Sequence, residues 1–391
     1  MLHRLLDIFH SFLQIAFRII FARKAQVLFY YPQHFNRSAA GTNPFFDPLL
    51  QTCEEAGISY KLLEEPDWGT DKPRNPRAIK ADAFFVLVLI LRKLVKLAGI
   101  KDFYAAEPHV ARLVNILTFG RLRYPRYVTI SGSMQHLFLA LHTKAIVYDT
   151  QHGVLTKYHK TFFDEHKQLR SAFTDARLHW LMWGEGYRKA FIRGEEDLLS
   201  DKVHVIGYPI AKNVISNSGF REKIIVISLQ LTADYDEETL HIEKEMVGDF
   251  IAQLDGMGYK VLIKHHPRYN NIISVDDWFE RYNFIEETKL PLIELVKIAR
   301  IQLIVHSTTT FEFAEYGIPS FVMINSKRVI GKEVFYDDFQ YPLYKGLSLH
   351  DVLTRIEDRK QYQADGEVVK DWYYKFYTPF RKDVFLHLIT K

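Results

Sequence analysis

From Gln26 onward the chain repeats one pattern: a short, unbroken apolar run, a break, then a segment whose apolar residues fall at helical spacing. "QVLFYYP", "YVTISG", "AIVYDTQHG" and "RLHWLMWG" are such runs in the first half, and "KIIVISLQ", "YKVLIKHHPR", "IQLIVHS" and "IPSFVMI" in the second. A strand that is apolar without alternation is buried on both faces, and helices crossing from one strand to the next are what cover them. The pattern predicts parallel, doubly wound sheets. Over 391 residues, with a polar interruption after "VHVIGYP", the series divides in two. The expected class is α/β, two Rossmann-like doubly wound domains facing a cleft, over 25–205 and 206–370. "VHVIGYP" reads as the crossing segment between them. Helices are expected around 81–98 and 108–119. An amphipathic helix over 1–24 precedes the domains, and an aromatic helix over 371–391 is expected to pack back on the N-terminal domain.

Charge and cysteine usage narrow the partners. A net charge of +4 is too mild and too dispersed for nucleic acid. The single Cys53 leaves no internal disulfide and no multi-cysteine metal site, which fits a reducing cytoplasm. His152, His159, His166, His265 and His266 have no zinc-ligand spacing, so neither a metal nor a cofactor is expected. Near the start, Arg4, Asp7 and Arg18 interrupt an apolar run that would otherwise reach spanning length. Leu2, Leu5, Leu6, Phe9, Phe12, Leu13, Ala16, Phe17 and Ile20 form a stripe at helical spacing, with Arg4, Asp7, Ser11, Gln14 and Arg18 mostly off it. Two readings stay open: a helix docked on its own domain by that stripe, or a peripheral anchor on the inner face of the cytoplasmic membrane.

In open parallel sheets ligands bind beyond the carboxyl ends of strands, where helix N-termini present their N–H groups. "IQLIVH" is followed there by Ser307, Thr308, Thr309 and Thr310. One hydroxyl would cap the next helix; a run of four, with backbone N–H groups, is suited to phosphate. "YKVLIKHHPR" places Lys264, His265, His266 and Arg268 at another strand end, where a histidine before proline can bond a phosphate oxygen or protonate a leaving group. Strand "AIVYDT" delivers Gln151, His152 and Gly153. Glycine allows a tight turn and close backbone approach, and His152 is either a general base or a structural histidine tied down by Asp149 or Tyr148.

"KHHPR", "HSTTTFEFAEYGIPS" and "TQHG" together resemble signatures of GT-B-fold glycosyltransferases of bacterial surface polysaccharides. They are similar to those of capsule sialyl- and polysialyltransferases and of CDP-glycerol glycerophosphotransferases. The resemblance implies that His266 binds donor phosphate or assists departure of the nucleotide, that Ser307, Thr308 and Thr309 hold phosphate, and that Glu312 accepts from ribose hydroxyls. "TQHG" lacks the acidic pair of the sialyltransferases and is nearer the Trp-His-Gly of the glycerophosphotransferases, so His152 stands in as the base. No Gly-x-Gly-x-x-Gly fingerprint is present.

The expected function is a metal-independent, inverting glycosyltransferase. It would carry a sugar or related unit from a nucleotide-activated donor to a glycan or lipid-linked glycan acceptor of the capsule or lipopolysaccharide kind. A nucleotide-sugar epimerase of the same fold and a non-catalytic glycan-binding protein are the alternatives.

Overall fold

The computed structural model describes residues 2–391 except 71, 158, 160, 211–218, 233–234, 267–268 and 270, with side chains from residue 5 onward. The chain forms two compact units, Met1–Ala211 with Thr378–Lys391, and Lys212–Tyr377.

The first unit holds seven strands: β1 (Val27–Pro32), β2 (Tyr60–Glu65), β3 (Ile79–Lys80), β4 (Arg126–Ile130), β5 (Ile146–Thr150), β6 (Leu178–Met182) and β7 (Val203–Val205). Every pairing is parallel, in the order β3-β2-β1-β4-β5-β6-β7, so the order reverses between β1 and β4. The second unit holds β8 (Ile224–Ser228), β9 (Lys260–Lys264), β10 (Ile285–Glu287), β11 (Ile301–Ile304) and β12 (Ser320–Val322). They too are parallel, in the order β10-β9-β8-β11-β12, reversing between β8 and β11. Two doubly wound α/β units are present, as the apolar runs required: all six residues of β1 and all five of β8 are buried.

Some expectations are corrected. "VHVIGYP" begins as β7, hydrogen-bonded to β6, instead of crossing out of the sheet. Behind it Gly207, at φ +83°, lies so close to the Pro379 carbonyl that a Cβ would collide with it. That approach lets Tyr208 N donate to Thr378 O at 2.8 Å and Arg381 N to Ile206 O at 2.7 Å. The aromatic tail is two helices, Arg359–Phe376 in the second unit and Lys382–Thr390 in the first, with Lys382 paired to Glu55 at 2.7 Å.

Among the helices of the first unit, α1 (Leu2–Ile15) runs into a wider turn over Ala16–Ile20, α2 spans Asp47–Glu55, α3 Asp82–Leu97, α4 Phe103–Leu117 and α5 Gln135–Leu141. α4 starts before Pro108 because Asp102 caps it, accepting from Ala105 N at 2.7 Å. α1 is docked on its own unit, but along most of its length by polar side chains, with Ile15, Ala16 and Ile19 buried only at its C-terminal end. Ser11 is fully buried; its hydroxyl donates to Lys80 O at 2.6 Å and accepts from Ala83 N at 3.0 Å. Gln14 Oε1 accepts from Lys80 N at 2.9 Å, and Asp7 pairs with the Lys80 ammonium at 3.1 Å. The edge strand β3 offers backbone groups with no further strand to satisfy them, and α1 supplies the partners. Leu5, Leu6, Phe9, Phe12, Leu13 and Phe17 of the apolar stripe face outward in consequence, while Ala16 is buried with Ile15 and Ile19.

Candidate functional site

In each unit the reversal of strand order opens a crevice beyond the strand ends. In the second unit that point lies between β8 and β11, and the hydroxyl run sits on it. Gln230, after β8, donates to Ser307 Oγ at 3.0 Å. Ser307 and Thr309 share a hydroxyl–hydroxyl bond of 2.9 Å, and Thr309 Oγ1 accepts from Gln302 Nε2 at 2.6 Å. Gln302 is itself fixed, with Nε2 on Ser228 Oγ at 2.8 Å and Oε1 accepting from Ser320 Oγ at 2.8 Å. The Thr310 hydroxyl turns back to Ser307 O at 2.9 Å. Thr308 alone of the four is exposed, and its side chain caps nothing. The hydroxyl inventory is then specific: the Ser307–Thr309 pair spends one of its two O–H protons internally and retains one, while Thr308 presents another. Glu312 lies half-buried in the first turn of the Thr309–Glu315 helix.

β9, next to β8, ends at Lys264, whose ammonium donates to Leu290 O at 2.8 Å. His265 and His266 follow, both half-buried. The His265 ring is stacked on Tyr269 with centroids 4.1 Å apart, and burial holds its pKa below the ordinary imidazole value. Arg268 and the preceding proline lie outside the described residues.

A polar cluster that no local motif announces lies beside this run. His306 shares a 2.7 Å hydrogen bond with the Tyr235 hydroxyl, and Arg328 pairs with buried Glu243 at 3.3 Å while its guanidinium lies over the Tyr235 ring. Burial, then the Arg328 charge, lowers the His306 pKa to about 3, so the ring is neutral; Glu243, 3.9 Å away, is a neighbour and not an ion-pair partner. Only His306 carried a sequence signal, its position directly before Ser307.

In the first unit, β5 delivers Gln151 and His152. Gln151 is buried and structural, accepting from Trp183 N at 2.9 Å and donating to Gly153 O at 2.8 Å. Gly153 has no left-handed φ, and a Cβ there would meet no atom within 4 Å, so the turn itself does not require glycine. Neither proposed tether holds His152. Asp149 accepts from Thr129 Oγ1 at 3.0 Å and Gly132 N at 2.9 Å, and Tyr148 donates to Leu388 O at 2.7 Å. His152 instead sets its ring edge-on to Phe35, centroids 5.3 Å apart. Burial, then the neighbouring His159, His34 and Arg37 charges, pushes its pKa down to about 4.

His34 is the residue that sequence reasoning missed here. It follows β1 at the reversal point, rests against Phe35 at 4.5 Å, and donates from Nδ1 to Asp67 at 2.8 Å. That bond leaves Nε2 as the acceptor of the neutral ring. Across the reversal, the turn after β4 has positive φ at Ser131, Gly132 and Met134. Among the described residues no three His, Cys, Asp or Glu side chains converge as metal ligands.

No family model matches this sequence, and no curated protein matches it. Solved structures do. A variant of the wall teichoic acid polymerase TagF superposes with a TM-score of 0.51 at 11% identity, covering 100% of this chain and 97% of that one. A UDP-GlcNAc 2-epimerase from Neisseria meningitidis, bound to UDP-GlcNAc, matches with a TM-score of 0.47 at 11% identity over 93% of this chain and 100% of its own. The glycosyltransferase of kitacinnamycin gives 0.47 at 9% identity, over 94% and 98%. The class defined is an α/β protein of GT-B-type fold. Within that class the TagF likeness, spanning the whole chain, is one of architecture.

Proposed function

We propose that the chain is a GT-B-type glycosyltransferase, inverting and metal-independent, that moves a sugar or related phosphate-bearing unit from a nucleotide-activated donor to a cell-surface glycan or lipid-linked glycan. The observation that carries this reading is the hydroxyl-lined turn on the β8/β11 reversal, with His266 on the adjacent strand end. In the second unit, Thr308, the residual Ser307–Thr309 proton and the turn's N–H groups bind the phosphate nearest the scissile bond, with His266 and Lys264 adding positive charge or a proton. Glu312 accepts from the ribose hydroxyls. The first unit receives the acceptor. His152 takes the proton of its hydroxyl, the oxygen bonds to the anomeric carbon, and the bond from that carbon to the donor phosphate breaks with its electron pair passing to the nucleotide. The enzyme works as a peripheral protein on the inner face of the cytoplasmic membrane.

A thermal-shift screen with CMP, CDP, UDP and GDP tests donor binding, since a ligand of the native state raises apparent stability. One nucleotide is expected to stand out. Conversion of the activated donor without any acceptor would replace the reading by an epimerase, and indifference to all four nucleotides would remove the donor site.

A further inference from the structure

The inverted seating of α1 leaves a broad apolar surface. Leu5, Leu6, Phe9, Phe12 and Phe17 are 56–68% exposed, on a helix whose hydrogen-bonding side is sealed against β3 and the start of α3. Neighbouring helices continue it: Ile90, Leu94 and Leu97 on α3 and Ile116 and Leu117 on α4 are all more than half exposed. A groove of about 560 Å³ joins the three, lined by Phe9, Phe12, Ile20, Leu87, Ile90 and Leu117 among others. Phe119, just past α4, has a left-handed φ of 50° and is 82% exposed. A bulky residue held there is strained, and here the strain holds an aromatic ring outward. Contiguous apolar surface of this extent marks an interaction site.

Its charge says what covers it. From 83 to 148 the only acids are Asp102, which caps α4, and Glu107, which Arg92 holds at 2.7 Å. Lys93, Lys96, Lys101, Arg112, Arg121 and Arg123 are all exposed. Arg112 and Arg123 line one cavity of about 610 Å³ with Ile116 and Phe119. Apolar side chains rimmed by uncompensated cations complement an anionic lipid surface, whereas a second copy of this chain would set like charges against each other. Among the described residues no helix is long and apolar enough to cross a membrane.

We propose that α1, the outer side of α3 and the C-terminal end of α4 form one docking face for an anionic phospholipid bilayer. Phe119 enters the acyl boundary, and Arg112 and Arg123 take headgroup phosphates. This deepens the peripheral-membrane reading above and does not depend on the reaction catalysed. The test is flotation of the full chain with phosphatidylcholine vesicles, with and without phosphatidylglycerol. Strong flotation is expected only with phosphatidylglycerol, and it falls as salt rises. Phe119→Ser should lower the partition coefficient tenfold or more, and Arg112→Gln and Arg123→Gln about fivefold each, with melting temperatures of the lipid-free proteins unchanged. A parent chain that floats with neither vesicle overturns both the attachment and the face. Flotation abolished by Phe9→Ser with Phe12→Ser but indifferent to Phe119→Ser leaves attachment to α1 and overturns the composite face. A dimer in sedimentation that Phe119→Ser disperses, without lipid binding, gives the surface to a second copy instead.

Discussion

Gln230, after β8, donates a hydrogen bond to the Ser307 hydroxyl after β11, at 3.0 Å, bridging the point where the strand order of the second unit reverses. Ser307 is 1% exposed, so its hydroxyl is a structural acceptor as well as a candidate ligand. Ser307→Ala is expected to destabilise by about 1–3 kcal/mol through the stranded amide of Gln230. Thr308→Ala, which removes an exposed side chain that caps nothing, should leave the melting temperature in place and weaken nucleotide binding. Calorimetric titration beside thermal melts separates the two; parental affinity in Thr308→Ala would remove it from the phosphate site.

The two histidines after β9 should part company in the same way. His265 is engaged with the Tyr269 ring, centroids 4.1 Å apart, so His265→Ala is expected to lower the melting temperature more than the turnover number. His266→Ala should cost on the order of a hundredfold in turnover with stability retained. Steady-state kinetics on folded protein decides, and a reversed ranking would move the catalytic role to His265.

With its pKa pushed down to about 4, His152 is already neutral at pH 7 and able to accept a proton. If it is the base, kcat/KM should hold steady downward from pH 7 and fall only toward pH 4. An acid limb at the ordinary imidazole value of about 6.5 would exclude His152 as the base.

Stability should fall on acidification. His136, His152 and His204 are depressed to about 4 and His306 to about 3, each mainly by burial. Between those values and the unfolded value near 6.5 the unfolded chain binds more protons, so this contribution is full above about 6.5 and is lost as pH falls. Asp149 and Glu65, raised to about 6 and about 7, act oppositely, their contribution being lost as pH rises. The imidazoles outweigh them, and the melting temperature is expected to drop from pH 7 to pH 5. His136→Phe keeps the ring contacts to Tyr104 and Phe173 and should recover up to about 2 kcal/mol of that loss. An unchanged pH slope in His136→Phe would mean that His136 charges without penalty in the folded chain.

Both sheets could be read from the chain because strands buried on two faces leave unbroken apolar runs, as "KIIVIS" does for β8. The hydroxyl run and Lys264–His266 were legible for the same reason: a strand's end locates whatever follows it. Relationships made by register were not. His34 meets Asp67 because β1 and β2 pair side by side, with Pro32 opposite Glu65, and nothing in either local sequence announces the other. The α1 stripe was visible, but not which side docks, since that was decided by backbone groups of Lys80 and Ala83 some seventy residues away.

The seating of α1 also determines how its association could be controlled. A helix that hides its apolar side must be released by a trigger before it meets lipid; this one, with Ser11 and Gln14 committed inward, has nothing to release. On the docking face proposed above, recruitment would be constitutive, governed by the headgroup composition of the membrane and the surrounding ionic strength. Away from a bilayer the same surface is the part of the molecule that detergent would be needed to mask.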